Sequence, residues 1–147
     1  MRRRPEMTRR WDDGWEADVP QQQLMVVDAA NVIGSRPDGW WRDRPAAVRR
    51  LLTALARARR DGEDVVVVVE GAARAGVEAG VRNGVRVVHA PGSADDEIVR
   101  IVTEAAAESR QSVTVVTADR QLRERATALG AGVLGPSALW KRLDSES

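Results

Sequence analysis

Four aspartates carry most of the chemistry open to this chain. Asp28 ends the apolar run Leu24-Met25-Val26-Val27, Asp95 and Asp96 follow Ser93-Ala94, and Asp119 ends Val115-Val116-Thr117-Ala118. Asn31 and Thr117 stand close to them in sequence and add an amide and a hydroxyl. Composition removes the usual competitors. There is no Cys, which excludes a thiol nucleophile, a disulfide framework and a thiolate metal site. The one His, His89, is too few for a His-rich zinc site within one chain, and Tyr and Phe are absent. Carboxylates gathered in one crevice repel one another unless a cation neutralises them. An all-oxygen donor set suits a hard divalent ion, so the expected cofactor is Mg²⁺ or Mn²⁺ rather than Zn²⁺. Such an ion lowers the pKa of a bound water and stabilises charge on a phosphate undergoing hydrolysis.

The elements that must position these acids follow from hydrophobic patterning. Apolar runs at Leu24–Asp28, Val65–Val69, Val85–Val88 and Val113–Val116, with a short Gly132–Leu134, predict strands. Between them the pattern predicts helices. One opens at Pro45 with the stripe Val48, Leu51, Leu52 and Leu55. A short one spans residues 72–82, and another follows Ser93 with Ile98, Ile101, Val102 and Ala105 inward. The last two lie around Leu122, Ala126 and Leu129 and over Pro136–Leu143. Gly34–Arg44 reads as a loop. Strands apolar on both faces, alternating with helices, predict an α/β sandwich with a mostly parallel sheet. Residues 1–22, with Trp11 and Trp15, read as a flexible N-terminal extension, and residues 23–147 as a single domain without internal repeats.

In such sheets, sites form beyond the carboxyl ends of the strands, where strand order reverses. Asp28 and Asp119 fall at that edge. Helical phase, counted back from Ile98, turns Asp95 toward the sheet and Asp96 about 100° away from it. Each residue also has a plainer reading. Asp28 can shape a turn, Ser93 with Asp96 can form a capping box, Asp119 can cap the next helix, and Asn31 can shape a turn. Glu70 is an outside candidate at the same edge, and His89 reads as structural.

Charge is unevenly spread although the net is only +1. Residues 36–60 hold eight Arg against two Asp. Arg36, Trp40, Trp41, Arg42 and Arg44 lie just after the first strand, and they combine phosphate-neutralising cations with faces on which unpaired bases stack. That combination suits single-stranded RNA; the plainer reading is a Trp pair packing the loop onto the domain. Arg49, Arg50, Arg57 and Arg60 fall off the apolar stripe and read as its solvated side. The longest aliphatic run, Val65–Val69, is far short of the roughly 20 residues that cross a bilayer. Arg2, Arg3 and Arg4 precede no apolar segment, so a cytoplasmic location is expected. A homo-oligomer is compatible with the sequence, which does not specify one.

Three segments together resemble a known group. Val27-Asp28-Ala29-Ala30-Asn31-Val32-Ile33 resembles the Asp-Gly-x-Asn motif of NYN-type domains in the PIN-like nuclease superfamily. Ser93-Ala94-Asp95-Asp96-Glu97-Ile98 is similar to that group's acidic helix start, and Val115-Val116-Thr117-Ala118-Asp119 to its Val-Val-(Ser/Thr)-x-Asp segment. The resemblance spans residues 24–143. It implies a three-layer α/β/α fold with strand order 3-2-1-4-5 and Mg²⁺- or Mn²⁺-dependent hydrolysis of RNA phosphodiesters. The matching positions are Asp28, Asn31, Asp95, Asp96 and Asp119. The chain departs from the pattern at Ala29, which stands for Gly, and at Arg123, where some relatives carry another acid.

Three other functions use similar residues. A phosphatase of the haloacid-dehalogenase type needs a second acid where Ala30 stands, and usually a Lys, of which Lys141 is the only one. A nucleotide pyrophosphohydrolase would use the same acids on a small substrate. An RNA-binding module without catalysis would keep the basic loop alone.

Overall fold

Alternation along β1 (Gln22–Asp28) shows how the layers are assigned. Met25 and Val27 enter one core, while Leu24 and Val26 enter the other. Successive strand side chains point to opposite faces, so a strand buried on both sides must be apolar throughout. β2 (Glu63–Val69) follows the same rule over Val65–Val69, while β4 (Val85–His89) exposes Arg86 and β5 (Gln111–Val116) carries a half-buried Thr114. The computed structural model describes residues 22–108 and 111–146. The extension expected over residues 1–22 lies outside the described residues, apart from Gln22, which begins β1.

The sheet has six strands in the order β3-β4-β2-β1-β5-β6. All neighbours are parallel except β3 (Gly80–Arg82), which runs antiparallel to β4. β6 (Gly132–Leu134) closes the other edge. The five parallel strands reproduce the expected 3-2-1-4-5 order, and the fold is the expected three-layer sandwich. One face carries α1 (Ala29–Gly34), α2 (Arg44–Ala58) and α5 (Pro136–Ser145). The opposite face carries α3 (Ala94–Ala106) and α4 (Arg120–Ala128).

The helix expected over residues 72–82 does not form. A 3-10 turn at Gly71–Gly76 leads instead into β3, which reaches β4 through Asn83-Gly84. Both turn residues have positive φ, +55° and +79°, as a two-residue hairpin loop requires. Gly76 and Gly80 weaken a helix there, and the Asn-Gly pair specifies the hairpin. His89 Nε2 lies 2.6 Å from the Val77 carbonyl and ties this edge together, which is the structural role expected of it.

Local signals set the helix starts. The Asp43 carboxylate accepts the Ala46 N–H at 3.1 Å, with Pro45 in the first turn of α2. Ser93 Oγ accepts the Asp96 N–H at 3.2 Å at the start of α3. The loop expected over Gly34–Arg44 contains a short 3-10 turn, Trp40–Arg42. Among the described residues, no helix is long and apolar enough to cross a membrane.

Candidate active site

β1 connects through α2 to β2 on one side, and the chain later returns through α3 to place β5 on the other side. The sheet's strand order therefore reverses beside β1. Register pairs Val27 with Val116, so the next residues of the two strands, Asp28 and Thr117, emerge side by side. Asp28 continues the Leu24–Val26 parity and Thr117 the Val113–Val115 parity, which turns both toward the α3 and α4 layer. Their side chains meet: Thr117 Oγ1 donates to Asp28 Oδ2 at 3.0 Å across 89 residues of sequence. Thr117 is wholly buried and Asp28 nearly so.

Further bonds brace the β5–α4 connection. The Asp119 N–H donates to Thr117 Oγ1 at 3.1 Å, and the Ala118 N–H donates to Asn31 Oδ1 at 2.8 Å. Asn31 thus holds the segment from Thr117 to Asp119 against the start of α1. Asp119 Oδ1 accepts the Leu122 N–H at 2.9 Å and caps α4. Arg123 Nη1 donates to the Thr117 carbonyl at 3.0 Å, so this residue also braces the strand end. Glu124 is exposed and pairs with Arg120 at 4.0 Å.

The acids sense one another electrostatically. Burial raises the Asp28 pKa to about 6, and the charges of Asp95 and Glu70 add to the rise. The Thr117 hydroxyl and the Asn31 backbone N–H oppose it. Asp95, half-buried at the start of α3, is also raised, first by burial and then by Asp119, Glu70 and Asp96, with Arg125 opposing. Asp95 is thus more buried than its neighbour Asp96. Asp96 is exposed and pairs with Arg125 at 3.2 Å, so it sits apart from Asp28 while its backbone completes the Ser93 cap. Glu70 has a role that sequence reasoning missed: its Oε1 accepts the Ala94 N–H at 2.9 Å and caps α3 from β2.

The donor set fits a hard divalent cation in kind and in charge. Among the described residues, however, no three acidic or imidazole side chains stand together in ligating geometry.

The loop residues divide. Arg36 stacks over Trp140 at 4.0 Å and pairs with Asp144, so it is engaged with α5. Trp40 is half-buried against the core, as the packing reading has it, and meets Trp41 edge-on at 6.0 Å. Trp41 is 54% exposed, with the Arg42 guanidinium 5.7 Å from its ring. Arg44 lies 5.4 Å from the Trp40 ring.

Two crystal structures of Rae1 (YacP) from Bacillus subtilis share this fold. One, of a point mutant, matches with a TM-score of 0.70 at 20% identity, covering 84% of this chain and 76% of that one. The other matches with a TM-score of 0.66 at 21% identity, covering 83% and 74%. No curated protein matches the chain by sequence. The family model for the YacP-like NYN domain matches residues 25–147, from the first strand past the last helix, and the chain belongs to that family.

Proposed function

We propose that this protein is a metal-dependent ribonuclease that hydrolyses RNA phosphodiesters at the carboxyl edge of β1 and β5. The observation that carries the reading is the buried Asp28–Thr117 pair at the strand-order reversal, with the charges of Asp95 and Glu70 imposed on Asp28. Membership of an NYN family supports it from an independent direction. Asp28, Asp95 and Asp119 would hold Mg²⁺ or Mn²⁺ directly or through water. When bound, the ion supplies an activated water and neutralises charge on the phosphate. Thr117 fixes one oxygen of Asp28, and Asn31 fixes the backbone that presents Asp119. Incubation of labelled single-stranded RNA and of free nucleoside triphosphates with Mn²⁺ tests the reading. RNA cleavage is expected; release from triphosphates alone would favour a pyrophosphohydrolase.

A chelator-treated sample tests the ion site without any substrate. The native state holds the Asp28 proton more tightly than the unfolded chain, because its pKa rises from 3.8 to about 6. The Asp28 contribution to the stability of the metal-free protein therefore falls as pH rises from about 4 to 6 and stays at the lower level above. Mn²⁺ at 100 times its Kd should restore about 2.7 kcal/mol at pH 7.5. A thermal midpoint at pH 7.5 that ignores Mn²⁺ would sink the ion site.

The exposed Trp41 is the stacking residue of the proposed RNA surface. Trp41→Ala should weaken single-stranded RNA binding by about 10-fold, within the roughly 1–3 kcal/mol that one stacked base contributes. Its thermal midpoint should stay close to that of the parent, since the side chain is outside the core. Fluorescence anisotropy with labelled RNA reads the first effect, and unaltered affinity would remove Trp41 from the surface.

A further inference from the structure

A groove of about 620 Å³ runs between α2 and the β3–β4 hairpin. Its floor is apolar: Val85 and Val87 are buried on β4, and Leu52 and Ala56 line it from α2, both half-buried. Its rim is basic, with Arg49, Arg57 and Arg82 all exposed. Arg49 is tied to the Gly76 carbonyl at 3.1 Å. Among the described residues, Arg57 and Arg82 have neither a hydrogen-bond nor an ion-pair partner. The groove opens on the α2 face of the sheet, whereas Asp28 and Thr117 turn toward the α3 and α4 layer. An RNA chain lying in it would therefore run apart from the proposed site.

We propose that residues 11–18 of this same chain occupy the groove, with an indole on its floor and carboxylates at Arg57 and Arg82. The segment is Trp11-Asp12-Asp13-Gly14-Trp15-Glu16-Ala17-Asp18, with four carboxylates, two indoles and no basic side chain. That chemistry complements an apolar floor rimmed by guanidiniums, which also pair favourably with indole faces. The chain is long enough to reach. β4 lies two strands from β1, about 10 Å at the usual strand spacing. Val85 pairs with Val65, and Val65 with Met25, so the groove begins close to the level at which Gln22 starts β1. Trp15 precedes Gln22 by seven residues, which span up to about 23–25 Å when extended. So short a tether gives the segment a local concentration on the order of mM, and any separate partner must compete with it.

The full chain is treated briefly with a protease that cuts after glutamate, and the products are weighed. Glu6 lies outside the docked segment and Glu16 within it, so the two sites are compared in one molecule. Cutting follows the population of the open form, and Arg57→Glu with Arg82→Glu should raise it after Glu16, relative to Glu6, by at least about 10-fold. Both arginines are exposed, so the fold is kept. Adding Asp12→Arg and Asp13→Arg to that variant should restore the protection, because the charges then match again with their signs exchanged. A second readout needs no protease. The chain has no Cys, so Thr53→Cys, at an exposed position of the groove, carries a single fluorophore that indole quenches on contact. Trp11→Phe with Trp15→Phe should brighten it. Equal cutting after Glu16 in the parent and the arginine variant overturns the proposal, as does a fluorophore indifferent to Trp11 and Trp15. Protection that rises with protein concentration also overturns it and places a second copy in the groove. Weaker single-stranded RNA binding by the arginine variant, with its cutting after Glu16 unchanged, gives the groove to RNA instead.

Discussion

Asp28→Asn is expected to slow RNA cleavage at least about 100-fold, equivalent to roughly 2.7 kcal/mol of transition-state stabilisation, while making the metal-free protein more stable. The two effects share one cause. Asp28 is only 5% exposed, and burial raises its pKa to about 6. Keeping it ionised at neutral pH costs roughly 3 kcal/mol relative to the unfolded chain, at 1.36 kcal/mol per pKa unit. An amide removes the charge but keeps an oxygen to accept the Thr117 hydroxyl, so the buried bond survives. The fold alone gains nothing from a carboxylate at this position; binding a cation does. The check is kcat/KM on labelled single-stranded RNA in Mn²⁺, paired with urea unfolding in chelator at pH 7.5. The Asp28→Asn protein should also lose the stability change between pH 4 and 6 that Asp28 causes. An unchanged rate in a folded mutant would remove Asp28 from the chemistry. Retained RNA binding with no cleavage even in the parent would leave a binding module.

The parts of this design legible in the sequence are those that repeat over several residues. Val65–Val69 declares itself as a buried strand because every side chain is apolar, Val113–Val116 because all but Thr114 are, and the α3 stripe through Ile98 and Val102 fixes the phase of Asp95. Asp28 and Asp119 were legible as strand-end acids. The contact of Asp28 with Thr117 depends on the Val27–Val116 register, which no local pattern encodes. Asn83-Gly84 signals the β3–β4 hairpin, but the alanines of residues 72–79 favour a helix locally, and pairing with β4 decides the outcome. Asn31, Glu70 and Arg36 had to be placed by tertiary contacts. Asn31 braces a loop, Glu70 caps a helix 24 residues later, and Arg36 stacks on α5. A single polar residue carries no periodicity from which its partner could be inferred. Arg142 is the extreme instance, since it looks like an ordinary surface cation on the last helix.

Arg142→Ala should destabilise the fold by about 3–5 kcal/mol, the range for stripping one partner from a buried ion pair. Arg142 spans Glu63 with two bonds of 2.9 and 2.5 Å and also donates to the Ala58 carbonyl at 2.9 Å. It joins α5 to the first residue of β2 and the last of α2. Glu63 is 5% exposed, so removing the guanidinium leaves a carboxylate with little access to water. Burial tends to raise the Glu63 pKa, but bonds from Arg142 and the Arg60 N–H outweigh it and hold the group below its ordinary 4.5. That stabilisation is present above the unfolded value and is lost as pH falls through the folded one. The deficit of Arg142→Ala should therefore be largest at neutral pH and shrink toward pH 4. Glu63→Gln added to Arg142→Ala should recover a substantial part of it, because the charge left behind is the cost. Equilibrium urea unfolding of the three proteins at pH 7 and pH 4.5 measures this cycle. A deficit under about 1 kcal/mol that does not vary with pH would mean the pair behaves like an exposed salt bridge, and α5 would then be held by Leu139 and Leu143 in the core rather than by charge.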